Sequence, residues 1–247
     1  MATSVLPRGW AVPGTISARF GTGAGRQRAM LHEGHLVLVT HLVPTAGVVE
    51  RTPALFWRAP DGTWKSTSEA RGGLIGLREL VEAYRQRSLE LETQVEHAKR
   101  ASEYFAVLQS AGPVLRAARH LHHALQHARE GIHDDRDIIV LRDAAGEVER
   151  TCEILLADAK SGLEFTAAKR TEEVSEQSEQ IARASHRLNL IAALFLPISA
   201  LGGIFGANFE HGLEHVASPY LFWAFAATAL LLGLVVRAAA KAPVTQT

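Results

Sequence analysis

Apolar and polar positions divide this chain into two regimes. Near the C-terminus the apolar residues run together. Residues 188–209 (LNLIAALFLPISALGGIFGANF) hold no charged side chain, and roughly 22 such positions suffice to cross a ~30 Å hydrocarbon core as a helix. Pro197 lies inside this run and Gly202, Gly203 and Gly206 crowd its end. Bilayers tolerate such breaks where neighbouring helices re-satisfy the backbone, and small residues let helices approach closely. A second apolar run, 220–236, follows a short loop, with Tyr220, Phe222 and Trp223 as an interfacial aromatic belt. The pattern predicts a helical hairpin of two spans.

Upstream the apolar residues are spaced. Residues 35–42 (HLVLVTHL) read as a buried strand, and 54–58 and 63–67 flank Pro60-Asp61-Gly62 as a hairpin. Residues 16–20 give a weaker strand, 21–25 (GTGAG) a Gly-rich turn, and 1–14, with two Pro and two Gly, a loose arm. From Leu77 the spacing becomes helical through Leu80, Val81, Tyr84, Leu91, Val95 and Ala98. Gly112-Pro113 is expected to break or kink this helix. A second helix runs to Gly131, and Asp134 or Asp135 caps a third. That last helix has no evident stop before the apolar run, giving about 75 residues and ~110 Å at 1.5 Å per residue.

Its apolar positions follow a four-three alternation: Leu141, Ala145, Val148, Cys152, Leu155, Ala159, Gly162 and Thr166. The seam slips by one residue and resumes at Val174, Ser178, Ile181, Ser185 and Leu188. Carried into the apolar run, one stripe is small or weakly polar (Ser178, Ser185, Ala192, Ser199, Gly206). Beside it lies an apolar one (Val174, Ile181, Leu188, Phe195, Gly202). Spacing alone leaves two readings for the small stripe, a close-packed helix interface or the wall of an ion path.

Charge adds topology. The 247 residues carry 26 Lys+Arg and 26 Asp+Glu, a net charge of zero that offers nothing to a nucleic acid. Arg183 and Arg187 precede the first run, Arg237 and Lys241 follow the second, and 210–219 has only Glu210, Glu214, His211 and His215. The positive-inside rule puts both termini in the cytoplasm and the acidic loop outside. The first residues show no basic-then-apolar signal pattern. The single cysteine, Cys152, excludes an intramolecular disulfide and fits a packed thiol on the seam.

Candidate chemistry is sparse. His120, His123 and His127 share a helix face and could bind zinc, although histidine is also an ordinary helix-surface residue. No catalytic set stands out, and an enzyme is not expected.

The sequence LFLPISALGGIFGAN at the end of a long helix, followed by an acidic loop, a second span and a brief basic tail, resembles the CorA superfamily of divalent-cation channels and transporters. The resemblance is specific over residues 188–236 and looser upstream. It implies a mostly helical α+β membrane protein. Its parts would be a small cytoplasmic α/β domain (1–72), a cytoplasmic helical domain and stalk (73–187), a pore-lining first span (188–209), an external loop (210–219), a second span (220–237) and a cytoplasmic tail (238–247). It implies a homopentamer in a bacterial-type inner membrane, moving divalent cations, with Mg2+ ahead of Co2+, Ni2+ and Zn2+. Asn208 would ring the outer pore mouth beside Gly206 and Ala207, and Ser199, Leu196, Ala192 and Leu188 would line the path. Asn208 amides could hold a hydrated Mg2+ by hydrogen bonds, or Asn208 could cap its helix. Glu210 and Glu214 would attract cations or be ordinary loop charges. The family signature Tyr-Gly-Met-Asn reads Phe205-Gly206-Ala207-Asn208 here. That departure implies two alternatives: a signal-gated effector or scaffold without magnesium selectivity, or a zinc transporter of the same fold.

Overall fold

The computed structural model describes residues 6–7, 9–45, 51–67, 72–206 and 219–241, with side chains at all of these except 201, 204–206, 219, 221 and 239–241. The chain divides into two units, Met1–Ala168 and Lys169–Thr247.

The first unit starts from an antiparallel meander. Strands β1 (Arg28–His32), β2 (His35–His41), β3 (Pro53–Arg58) and β4 (Trp64–Ser66) pair in chain order. β2 is the strand expected at 35–42. β1 had no sequence signal, because its hairpin turn is the pair Glu33-Gly34, at φ +48° and +76°. A two-residue loop with both φ positive fits the strand twist, but it normally advertises itself as Asn-Gly or Asp-Gly. The β3–β4 turn follows expectation: Asp61 Oδ1 accepts from the Thr63 N–H at 2.9 Å and its hydroxyl at 2.7 Å.

β2 is buried on both faces. Leu36 and Leu38 join Ala29 and Phe56 in a core shared with the helices, while Val37 and Val39 join Met30, Leu55 and Trp57 on the other face. That second face corrects two expectations. Residues 16–20 are not a strand: α1 (Gly14–Ser17) places Ile16 on the sheet. Nor is the preceding segment loose throughout, because Leu6, Trp10 and Val12 pack there, with Trp10 5.9 Å from Trp57 between ring centroids. The sheet needs this cover, since each buried Val, Leu or Met side chain contributes roughly 1.5–3 kcal/mol only when it leaves water.

The helices are α2 (Leu74–His97), α3 (Ala101–Gly131) and α4 (Arg136–Gly206) in unit order. α2 starts at Gly73, φ +68°, where a Cβ would fall 2.6 Å from the Trp64 carbonyl oxygen. The expected break at Gly112-Pro113 is absent: Pro113 lies inside α3. Val107, Ala111, Val114, Ala117, Ala118, Leu121 and Leu125 keep one buried stripe across it. Their combined burial outweighs the ~3 kcal/mol penalty of an internal proline. The helix breaks instead at Ala98, which is extended (ψ 131°). There Glu103 accepts from the N–H groups of Lys99 (2.8 Å) and Arg100 (3.1 Å), capping the first turn of α3. Those N–H groups and the Arg100 guanidinium hold its carboxyl down to about 2.

α4 begins at the expected cap. Asp135 Oδ1 accepts from the N–H of Asp137 at 3.0 Å and of Ile138 at 3.3 Å. The first seam is buried against α2 and α3: Leu141, Ala145, Val148, Cys152, Leu155 and Ala159 are all at most 4 % exposed. At its end Gly162 faces Tyr104, where a Cβ would sit 2.4 Å from Cε1. The slip in the seam between Thr166 and Val174 brackets the boundary of the unit after Ala168. This part of the protein is mostly helical with one small sheet, and its core joins the expected α/β region to the first part of the helical one.

Candidate functional site

The second unit contains the remainder of α4 and α5 (Pro219–Lys241). Its resumed seam has no such cover: Val174, Ile181 and Leu188 are 52 %, 69 % and 66 % exposed. In the apolar run, α4 has one stripe partly or fully buried, Leu190, Ala193, Leu194 and Pro197. α5 has the matching stripe Phe225, Ala226, Ala229 and Gly233. Both have the i, i+3/i+4, i+7/i+8 spacing of a single helix face. Gly233 is a point of close approach, for a Cβ there would meet the Leu194 carbonyl oxygen at 2.9 Å. The sequence carried this signal as Ala229-x-x-x-Gly233, a small-xxx-small pair. The glycines expected to make close contacts do not make this one: Gly202 and Gly203 have nothing within 4 Å of a built Cβ.

The opposite face of α4 carries the expected pore residues. At about 100° per residue, Leu188, Leu196, Ser199 and Gly203 all lie within roughly 40° of Ala192, and the α5-facing stripe lies on the far side. Leu188 and Leu196 are 66 % and 68 % exposed, and Ala192 and Ser199 are exposed too. This face therefore brings four of the sequence-selected residues together in one apolar row with a single hydroxyl. Gly206 is the last residue of α4. Ala207, Asn208, Glu210 and Glu214 lie outside the described residues. Among the described residues no helix is long and apolar enough to cross a membrane. The two expected spans, 188–209 and 220–237, both include positions whose side chains are not described.

On α3 His120 is half-buried, while His123 and His127 are exposed. Among the described residues no three His, Cys, Asp or Glu side chains are grouped to hold a metal ion. His122, which periodicity did not select, pairs instead with Glu149 of α4, Nδ1 to Oε2 at 2.7 Å. Arg119 donates to Glu149 at 2.8 Å and also to Glu153. The Arg119 and His122 contacts hold the Glu149 carboxyl below its usual range, against the opposing effect of burial. These pairs clamp α3 to α4. Cys152, one turn on from Glu149, is fully buried, and burial pushes its thiol up to about 11, which leaves it unreactive.

A second buried group joins the sheet to α2 and α3. Tyr84 donates to the His41 carbonyl at 3.1 Å, and Gln27 Nε2 donates to the Ala117 carbonyl at 2.9 Å. Among the described residues, buried Gln27 Oε1, His41 Nδ1 and His120 Nδ1 have no hydrogen-bond partner. Burial, then Arg51, pushes the His41 imidazolium down; burial, then Arg51 and Arg26, does the same at His120.

Solved structures similar to the chain include the following two. The full-length CmaX protein is 14% identical, with a TM-score of 0.45, over 86% of this chain and 77% of that one. The CorA magnesium transporter from Methanocaldococcus jannaschii is 14% identical, with a TM-score of 0.36, over 85% of this chain and 77% of that one. None of the curated proteins compared matches the sequence. The family model described as CorA-like Mg2+ transporter protein matches residues 74–238, from the first residue of α2 to near the end of α5. That match spans the core helices, the α4–α5 pair and the exposed row on α4 together, and the chain belongs to the CorA-like Mg2+ transporter family.

Proposed function

We propose that the chain is a membrane channel or transporter for divalent cations, Mg2+ first, and that α4 lines its path. The observation that carries this is the division of α4 into two faces within a matched family segment. Leu194 and Pro197 turn toward α5, while Leu188, Ala192, Leu196 and Ser199 are left without cover. One such row cannot enclose a path, so the reading requires several copies around an axis, five by the family resemblance. The uncovered Val174 and Ile181 continue the row and supply apolar surface for that assembly. In this reading residues 188–209 and 220–237 cross the inner membrane, with both termini inside. A ring of Asn208 amides at the outer mouth holds hydrated Mg2+, and Glu210 and Glu214 provide the attracting field.

The test is uptake of Mg2+, Co2+, Ni2+ and Zn2+ into proteoliposomes holding the full chain. Mg2+ flux at or above the others is expected. Flux of Zn2+ alone would reassign the ion. A normally assembled protein that passes none of the four would refute transport and favour the effector reading, to which Ala207 at the signature's Met position already points.

A further inference from the structure

The basic residues beside the apolar runs do not lie evenly around the helices. At about 100° per residue, Arg183, His186 and Arg187 fall on the same side of α4 as Leu194 and Pro197, the side that meets α5. With Ala182 they form an open, shallow patch on α4 alone. On α5, Arg237 lies one turn beyond Gly233, on the side that meets α4. In the antiparallel hairpin that the membrane reading requires, the Leu194–Gly233 contact brings Arg237 level with Leu190, about one turn from Arg187. Arg187, His186 and Arg237 are exposed. Arg183 is held by Glu179 at 3.0 Å. Residues 181–209 and 219–247 contain no Asp or Glu. Positive charge is thus gathered at one point of the helix pair, where the apolar runs begin and end, with only Glu179 nearby to balance it.

Uniform attraction to an anionic surface would not need these residues on one seam. We propose that the α4–α5 seam at Arg187, His186 and Arg237 is a binding site for the phosphate headgroup of an anionic phospholipid in the cytoplasmic leaflet. The proposal rests on the membrane reading of the two apolar runs. Guanidinium forks at Arg187 and Arg237 match phosphate oxygens in pairs, His186 adds a ring N–H, and the acyl chains would continue along the exposed apolar surface of α5 at Leu230, Leu234 and Val235. A lipid held there bridges the two helices beyond the end of their own buried stripes.

The experiment is native mass spectrometry of the full chain released from vesicles of equal phosphatidylglycerol and phosphatidylcholine, counting retained lipids. Wild type is expected to retain phosphatidylglycerol preferentially. Arg187→Gln and Arg237→Gln should each lower that preference about fivefold, and together on the order of 25-fold, as about 1 kcal/mol per basic residue near a membrane implies. Arg187→Lys should restore part of it. Arg170→Gln, the same charge change on exposed α4 away from the seam, should leave it unchanged. Equal retention of both lipids by wild type, or an equal effect of Arg170→Gln, would overturn the site while leaving transport intact. Displacement of phosphatidylglycerol by excess inorganic phosphate would overturn the lipid assignment in favour of a soluble anion. Failure of the chain to enter vesicles at all would refute this site and the transport reading alike.

Discussion

Asp135 serves Arg58 and α4 at once. Its Oδ2 accepts from Arg58 Nε at 2.7 Å, while its Oδ1 caps the first turn of α4. Both partners are largely buried, at 15 % and 11 % side-chain exposure. The carboxylate therefore ties the end of β3 to the start of the helix that continues into the candidate path. Asp135→Ala removes the cap and strands a buried guanidinium, and should cost about 3–5 kcal/mol in urea unfolding. Asp135→Asn keeps the cap through Oδ1 but sets its amide N–H against the Arg58 guanidinium, so it should still lose the pair and cost less than Asp135→Ala only by the cap, about 1 kcal/mol. Equal costs would mean that the cap contributes nothing and the whole loss lies in the Arg58 pair.

The pairing of α4 with α5 should be sensitive at Gly233 and insensitive at Gly202. A methyl at Gly233 presses on a backbone carbonyl of α4, which cannot rotate away, so Gly233→Ala should cost about 1–3 kcal/mol by thermal unfolding in detergent. Gly202→Ala meets open space within the chain. If Gly202→Ala instead lowers the oligomer mass while Gly233→Ala does not, the tight glycine contacts lie between copies.

Acid should loosen the junction of sheet and helices. The His41 and His120 imidazoles are pushed down by burial and by the nearby arginines, so the folded state holds them neutral. Above the unfolded value near 6.5 both states are neutral and the shift has no effect. Below it the unfolded chain takes up protons that the folded one refuses, and stability falls until the folded groups titrate in turn. A pH series of urea midpoints from 7.5 to 5 should therefore decline below about 6.5. His41→Gln should flatten part of that decline, and an unchanged slope would clear His41 of the effect.

The conduction path can be separated from packing at Ser199. Ser199→Leu, repeated around an axis, should abolish cation flux with assembly intact, because an apolar constriction closes by dewetting. If the row is a packing surface, the larger side chain should overpack it and lower the oligomer mass instead. Asn208→Ala should reduce flux or change selectivity without loss of assembly.

Topology can be read with a single new thiol. Glu214→Cys should react with an impermeant maleimide in intact cells. Cys152 is buried and its thiol is pushed up to about 11, so it adds no background. Labelling that appears only after lysis would reverse the proposed orientation.

The sequence alone determined whatever depends on neighbours in the chain. The strand at β2, the Pro60-Asp61-Gly62 hairpin, the Asp135 cap and the unbroken α4 all follow from local preferences or a repeated period. So did the seam from Leu141 to Ala159, because a buried face must recur every three or four residues whatever covers it. Tertiary structure decided what covers each face. Only the fold shows that this first seam packs on α2 and α3 whereas Val174 and Ile181 are exposed among the described residues. Periodicity reports that a stripe is apolar and is silent on which surface meets it. Pro113 stayed helical because long-range burial along α3 exceeded a local penalty. Trp10 and Ile16 joined the sheet because β2 had two apolar faces to cover. The Glu33-Gly34 turn escaped notice because its conformation is set by strand pairing more than by a favoured dipeptide. At the candidate site, spacing put Leu188, Ala192, Leu196 and Ser199 on one face of α4. The contact between Leu194 and Gly233 decided that this face points away from α5, since only glycine lets the two backbones come that close.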